Sequence, residues 1–233
     1  MAKETTVAKL PDHIPFHEGA VLPVACNTAL VGLAGAPGLG FNLPGPVRSP
    51  KPSGKTILVW GGSSAVGMMT LQLARESGIA AVAVASKHNH AVCKSAGAVD
   101  VLDHRDPSVV DSVVAAVKAT SGTFVGVMDC MSTPETLQYT LPILERFGGG
   151  ELAFLLPNVN PEVPNNVKIH HVLGRDQDIT IPFWRDYLTL ALEDGRLKCL
   201  PEAYVVGNGL ESIQDGMDML KKGVSARKVV VSL

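Results

Sequence analysis

The sequence predicts an α/β protein built on a doubly wound parallel sheet. Three observations point there. From Lys55 onward, short apolar runs alternate with segments that carry apolar residues at helical spacing. The first run, residues 55–60 (KTILVW), is continuously apolar after its lysine, as expected of a strand buried on both faces. It leads through a glycine-rich turn, GGSSAVG (61–67), straight into a helical pattern.

The elements follow in order. The first fourteen residues are polar and read as a terminal arm with a short strand over 5–10. Residues 16–33 are apolar at helical spacing, with Pro23 restarting the helix. Residues 35–54 are rich in Gly and Pro and read as irregular surface chain. After the strand over 55–60 and the glycine turn, a helix over 68–78 ends at Gly78. A second buried strand covers 79–85, a short helix 90–96 and a third strand 99–102. The helix over 107–120 turns Val109, Val110, Val113, Val114 and Val117 inward. A fourth strand (124–129), a helix (134–146) and a fifth strand (151–156) complete the alternation. This rhythm predicts helices on both faces of the sheet and right-handed crossovers. The tail differs: a helix over 182–194, a short strand over 204–206, a helix over 210–221 and an alternating strand over 227–233.

Composition narrows the function classes. The 233 residues are 46% hydrophobic and 18% charged, enough to bury a sizeable core. The net charge of −2 argues against a nucleic-acid partner. No apolar run reaches the ~18 residues of a membrane span, so no membrane partner is expected. Mean hydropathy is nonetheless positive, +0.21, which leaves an apolar surplus to be placed. Cys26, Cys93, Cys130 and Cys199 stand far apart with no CxxC pair, so structural zinc is not expected and reduced thiols are. His13 and His17 are four apart, but Pro15 between them prevents a regular helical metal face. Lys3, Glu4 and Lys9 break any secretory apolar stretch after Met1, and a cytoplasmic location is expected.

Strand, glycine turn and helix in this order form a Rossmann-like dinucleotide site. On the G-x-G-x-x-G template the matching positions are Gly62, Ser64 and Gly67, with serine in place of the middle glycine. A tight turn that binds nothing is the competing reading. The end of the second strand, ASKHNH (85–90), has no Asp or Glu to hold a ribose 2′-hydroxyl. Ser86, Lys87 and Asn89 offer donors and a positive charge suited to a 2′-phosphate, which favours NADPH over NADH. Lys87 and His88 also fit a plain solvated loop.

Five stretches give the chain a resemblance to zinc-free medium-chain dehydrogenase/reductases, most closely the trans-acting enoyl reductases of fungal polyketide biosynthesis. They are LPDHIPFHEGAVLPVACNTALVGL (10–33), VWGGSSAVGMMTLQLARESG (59–78), ASKHNHAVCKSAGAVDVLDHRDP (85–107), GVMDCMSTPET (126–136) and GLESIQDGMDMLKKGVSARKVVVSL (209–233). The resemblance implies cofactor contacts at Ser63, Ser64, Ala65 and Val66, and at Ser86, Lys87, His88 and Asn89 around a 2′-phosphate. It implies further contacts at His104, where the family usually has Tyr, at Ile143 and Leu144, and at Val224 and Ser225. Ala226 and Arg227 then replace the family's Gly and Glu. Asn27 and Thr28 match the helix flanking nicotinamide and substrate.

The family also begins with a catalytic domain resembling a GroES barrel. Met1 falls almost where that domain ends, and residues 198–233 resemble the segment that returns to it. The expected organisation is therefore a catalytic-domain remnant or linker (1–33), a Rossmann-like domain (34–197) and a C-terminal catalytic-domain segment (198–233). Three functions fit. The first is NADPH-dependent reduction of an enoyl thioester, on a free or carrier-protein-bound polyketide, with a polyketide synthase or a second copy as partner. The second is a cofactor-independent cyclase or isomerase of Diels–Alder type, needing mainly shape and hydrogen-bond donors. The third is a non-catalytic binding partner or a fragment of a longer product.

Catalytic candidates are few: Thr28, Asp129, His170 and His171. The adjacent histidines would face opposite sides of a strand, one of them toward the cleft as a general acid or base. Asp129 ends the fourth strand at the edge where α/β ligands bind, or caps the turn before Pro134. Phe183 and Trp184 either line an apolar substrate pocket or pack in the core. Tyr139, Tyr187 and Tyr204 are candidate proton donors, and Met68 and Met69 read as core filler. No nucleophile elbow is present, so a hydrolase is not expected.

Overall fold

The computed structural model describes residues 7–35, 38–42, 50–156, 162–174 and 176–233. Six strands, β1 (Lys55–Trp60), β2 (Ala80–Ala85), β3 (Asp100–Asp103), β4 (Thr123–Asp129), β5 (Gly150–Phe154) and β6 (Val167–His171), form one sheet. Its order is β3-β2-β1-β4-β5-β6 and every pair is parallel. This is a doubly wound sheet whose strand order reverses between β1 and β4, so a crevice opens at the carboxyl ends of those strands.

The strands are apolar on both faces because both are covered. Ile57, Val59, Ala81, Ala83 and Ala85 face one core, shared with α2 (Leu22–Ala34), α3 (Ala65–Glu76) and α4 (His90–Ala96). Leu58, Trp60, Val82 and Val84 face the other, covered by α5 (Val109–Ala119) and α6 (Pro134–Arg146). The three alanines of β2 let the first layer come close; a Cβ on Gly62 would stand 2.8 Å from the Ala83 Cβ. On the other face, Val109, Val113, Val114 and Val117 are the buried side of α5, as their spacing predicts.

Several boundaries differ from expectation, each for a local reason. Residues 7–10 form no strand, and residues 5 and 6 lie outside the described ones. The apolar stretch 16–33 divides into α1 (Phe16–Gly19) and α2, with Pro23 in the first turn of α2, where a missing N–H costs nothing. Helix α2 is buried along most of its length and packs against α3 in the core on one face of the sheet. Strand β6 (VKIHH) escapes a reading based on continuous apolar runs because Lys168 and two histidines interrupt it at the sheet edge. The helix expected at 182–194 starts earlier. Asp176 caps α7 (Gln177–Pro182) by accepting from the Asp178 N–H. A π-type turn (Phe183–Tyr187) then leads into α8 (Leu188–Glu193).

The tail builds its own unit. Strands β7 (Glu202–Asn208) and β8 (Arg227–Ser232) pair in parallel as a separate two-stranded sheet, with α9 (Ile213–Lys222) between them in sequence.

Candidate nucleotide site

The site begins where β1 ends. Gly61 reverses the chain at φ +76°, in the left-handed region that favours glycine. A Cβ on Gly67 would lie 2.3 Å from the Gly61 carbonyl oxygen, so only glycine lets α3 start this close to the strand end. Ser64 stands where the template has its middle glycine. Its side-chain oxygen accepts from the Gly67 N–H (3.0 Å) and caps α3. The N–H groups of Ala65 and Val66 lie in the first turn, at the positive end of the helix dipole.

Around this turn lies a cleft of about 540 Å³. Five separate segments line it: Gly61, Ser63, Ser64 and Ala65 of the turn; Ser86 and Asn89 beyond β2; His104 beyond β3; Met131 and Thr136 beyond β4; and residues 224–228 before and within β8. Trp60, Val84, Ala85 and Leu220 supply apolar wall. No carboxylate is among these lining residues, while Arg227 and Lys228 are. Arg227 lies over the Tyr204 ring at 5.3 Å. Helix N–H groups, hydroxyls and cations without a facing acid suit a phosphate-bearing ligand, so the residues present fit a dinucleotide.

Of the residues singled out from the sequence, Ser63, Ser64, Ala65, Ser86, Asn89, His104, Val224 and Ser225 meet in this cleft. Gly62, Val66 and Gly67 shape the turn without lining it. Lys87 and His88 are exposed on a short 3-10 turn beside it, and His88 Nε2 lies 2.9 Å from Ser225 Oγ. Trp60, Met131, Leu220, Ala226, Arg227 and Lys228 line the cleft without having been singled out for it from sequence. Pattern offers no signal for Leu220, Ala226, Arg227 and Lys228, because their place depends on how the tail folds back, while Trp60 and Met131 lie at the ends of β1 and β4.

The remaining candidates lie elsewhere in the fold. Ile143 and Leu144 are fully buried in the core beneath α6, on the inward side of that helix, and do not reach the cleft. Phe183 and Trp184 are core residues: their rings meet edge-on in the π-type turn, and the Trp184 Nε1–H donates to Asn27 Oδ1 at 2.6 Å. Thr28 is half-buried on α2, next to Gly174. His170 lies against the Glu151 carboxylate across the β5–β6 pair, and His171 meets Phe154 edge-on, so neither faces the cleft. Asp129 is fully buried and accepts from the N–H groups of Met131 (3.0 Å) and Ser132 (2.8 Å) and from the Thr136 hydroxyl. It builds the turn between β4 and α6, and its burial raises its pKa. The thiols are no nucleophiles at neutral pH: burial raises Cys93 and Cys199 to about 11 and pushes Cys26 and Cys130 higher still. Among the described residues, no three His, Cys, Asp or Glu side chains cluster as metal ligands.

No family model matches the chain. Relatives do. The dehydrogenase orsE of Emericella nidulans is 44% identical over 237 residues, covering 97% of this chain and 68% of its own length. The trans-enoyl reductase himH of Aspergillus japonicus is 39% identical, covering 99% of this chain and 66% of its own length. This chain belongs to the fungal trans-enoyl reductases. It spans about two thirds of the length of these relatives. The fold agrees. CurK enoyl reductase superposes with a TM-score of 0.70 at 20% identity, over 97% of this chain and 65% of that one. CurA of Vibrio vulnificus, solved in complex with NADPH, gives 0.65 at 19% identity, over 97% and 67%. The parallel sheet of this oxidoreductase-like chain thus agrees with the fold of these neighbours.

Proposed function

We propose that the protein binds NADPH in the cleft between the glycine turn and residues 224–228, and serves reduction of an enoyl-thioester double bond in a polyketide intermediate. One observation carries the reading: a capped helix N-terminus, hydroxyls and two cations converge on a cleft with no lining carboxylate. The relatives' names and the NADPH complex of a protein of the same fold support it. They favour reduction over a cyclase or a non-catalytic role.

When bound, NADPH supplies a hydride to the electron-poor alkene carbon. The chain's residues have the remaining tasks. The first-turn N–H groups of α3 hold the pyrophosphate. Ser86, Lys87 and the cations of β8 would hold the 2′-phosphate, and the absent acid at the end of β2 removes the usual partner for a free ribose 2′-hydroxyl. In this reading His104, which lines the cleft, would contact the adenine, and Thr28, half-buried on α2, would offer a hydroxyl toward nicotinamide or substrate. Residues 198–233 belong, in this reading, to a second domain; the separate β7–β8 sheet supports that division. The free thiols support a reducing, cytoplasmic setting. A carrier-bound or free polyketide and its synthase are the partners.

Trp60 lines the cleft and reports on occupancy. Titration should quench its fluorescence saturably with NADPH, at lower concentration than with NADH. Absence of a saturable signal with either nucleotide would overturn the proposal. Lys87→Ala should weaken NADPH about tenfold and leave NADH within about twofold, as expected for loss of one charge-assisted hydrogen bond.

A further inference from the structure

Asn89 is 7% exposed and sits at the end of the 3-10 turn after β2. Its Nδ2 donates to Ser225 Oγ (2.9 Å) and to Ser63 Oγ (3.2 Å). An amide nitrogen carries two hydrogens, so both are engaged; the remaining carbonyl oxygen is an acceptor and has nothing to offer a phosphate. Ser63 belongs to the glycine turn, and Ser225 to the loop between α9 and β8. Asn89 therefore joins the two walls of the cleft from beneath.

That joint matters because little else of its kind exists. Strands β7 and β8 share no ladder with the main sheet. Among the described residues, the side-chain hydrogen bonds given between residues 202–233 and the rest of the chain are those of Ser225, to Asn89 and His88. The loop they hold carries Ala226 at φ +49°, a backbone conformation unfavourable for a residue with a Cβ. Arg227 and Lys228 follow directly and enter the cleft. A clamp on Ser225 would hold this strained bend and so aim the two cations.

We propose that Asn89 is a positioning residue: it acts on the nucleotide through Ser225, by clamping the 224–228 loop to the glycine turn, and is not itself a phosphate ligand. This rests on the reading of the cleft as a nucleotide site, but the clamp itself can be tested without nucleotide.

The first measurement is amide hydrogen exchange of the free protein. Ser225→Ala alters an exposed side chain and should leave the fold intact. Ser225→Ala and Asn89→Ala should each speed exchange over residues 223–227 about tenfold, with exchange over β1 and α3 unchanged. Unchanged exchange at 223–227 in both variants would overturn the clamp. The second is a double-mutant cycle on NADPH and NADH binding. The single variants should weaken both nucleotides by a similar factor, about five- to tenfold, and the double variant should lose no more than about twofold beyond either. Losses that multiply, or an Asn89→Ala loss confined to NADPH, would show Asn89 to be a ligand and overturn the proposal. If wild type binds neither nucleotide while exchange responds as expected, the nucleotide reading falls and the clamp stands.

Discussion

Asp129 shows how one side chain is both site-adjacent and structural. Its carboxylate gathers two backbone N–H groups and the Thr136 hydroxyl, and the Ser132 hydroxyl in turn receives the Leu155 N–H at 2.7 Å. Asp129→Ala should orphan these donors and lower stability by about 2–3 kcal/mol in urea unfolding. Burial raises its carboxyl pKa, against the pull of its hydrogen bonds. The folded state therefore holds this proton more tightly than the unfolded chain. The contribution of this group to stability is greatest below its ordinary pKa and falls as pH rises toward the raised value. Urea midpoints measured upward from about pH 4 should show that slope in wild type and lose it in Asp129→Asn. At the glycine turn, Ser64→Ala removes a cap and should cost about 1 kcal/mol by the same measurement. Gly67→Ala places a methyl group against the Gly61 carbonyl and should abolish nucleotide quenching of Trp60 even where the protein still folds.

At the scale of elements, periodicity reads best where burial is one-sided or complete. The valines of α5 and the apolar runs of β1 and β2 declare their packing in the sequence because each is buried as its pattern requires. Strand β6 does not, because an edge strand needs apolar residues at few positions and its histidines pair with Glu151 and Phe154 instead. The π-type turn is likewise invisible in the pattern: it brings Trp184 Nε1 to Asn27 on α2, a partner 157 residues away in sequence. Asn27→Ala should leave that buried N–H unsatisfied and cost about 1–3 kcal/mol in thermal or chemical unfolding. A substrate role for Asn27 independent of Trp184 would instead show as lost turnover at unchanged stability.

At the scale of the molecule, the apolar surplus is placed. Leu210, in the turn just before α9, and Ile213, Met217 and Leu220 of α9 are 69%, 45%, 60% and 60% exposed. In a soluble monomer such a stripe promotes association. Light scattering against concentration should show attraction that Ile213→Glu with Met217→Glu removes, with little change in melting temperature. The overall charge of −2 makes the cationic cleft a local feature. Raising salt from about 0.05 to 0.5 M should therefore weaken NADPH binding more than NADH binding, since the extra phosphate is what the exposed cations meet.

The sequence by itself determined the sheet, the glycine turn and the absence of an acid after β2. Each is a local matter of burial period, backbone freedom or a residue type at a strand end. Ser64 and Ser86 could be singled out on those grounds alone, and Ser63 by the family resemblance. Only the tertiary structure decided which distant residues complete it. Arg227 and Lys228 reach the cleft because the tail folds back over the glycine turn, while Ile143 and Leu144 are carried inward on α6. Asn89 shows the difference most plainly. Its residue type suggested a phosphate donor, but its two amide hydrogens are already bound to Ser63 and Ser225, and that follows from packing across 136 positions of chain rather than from any pattern along it.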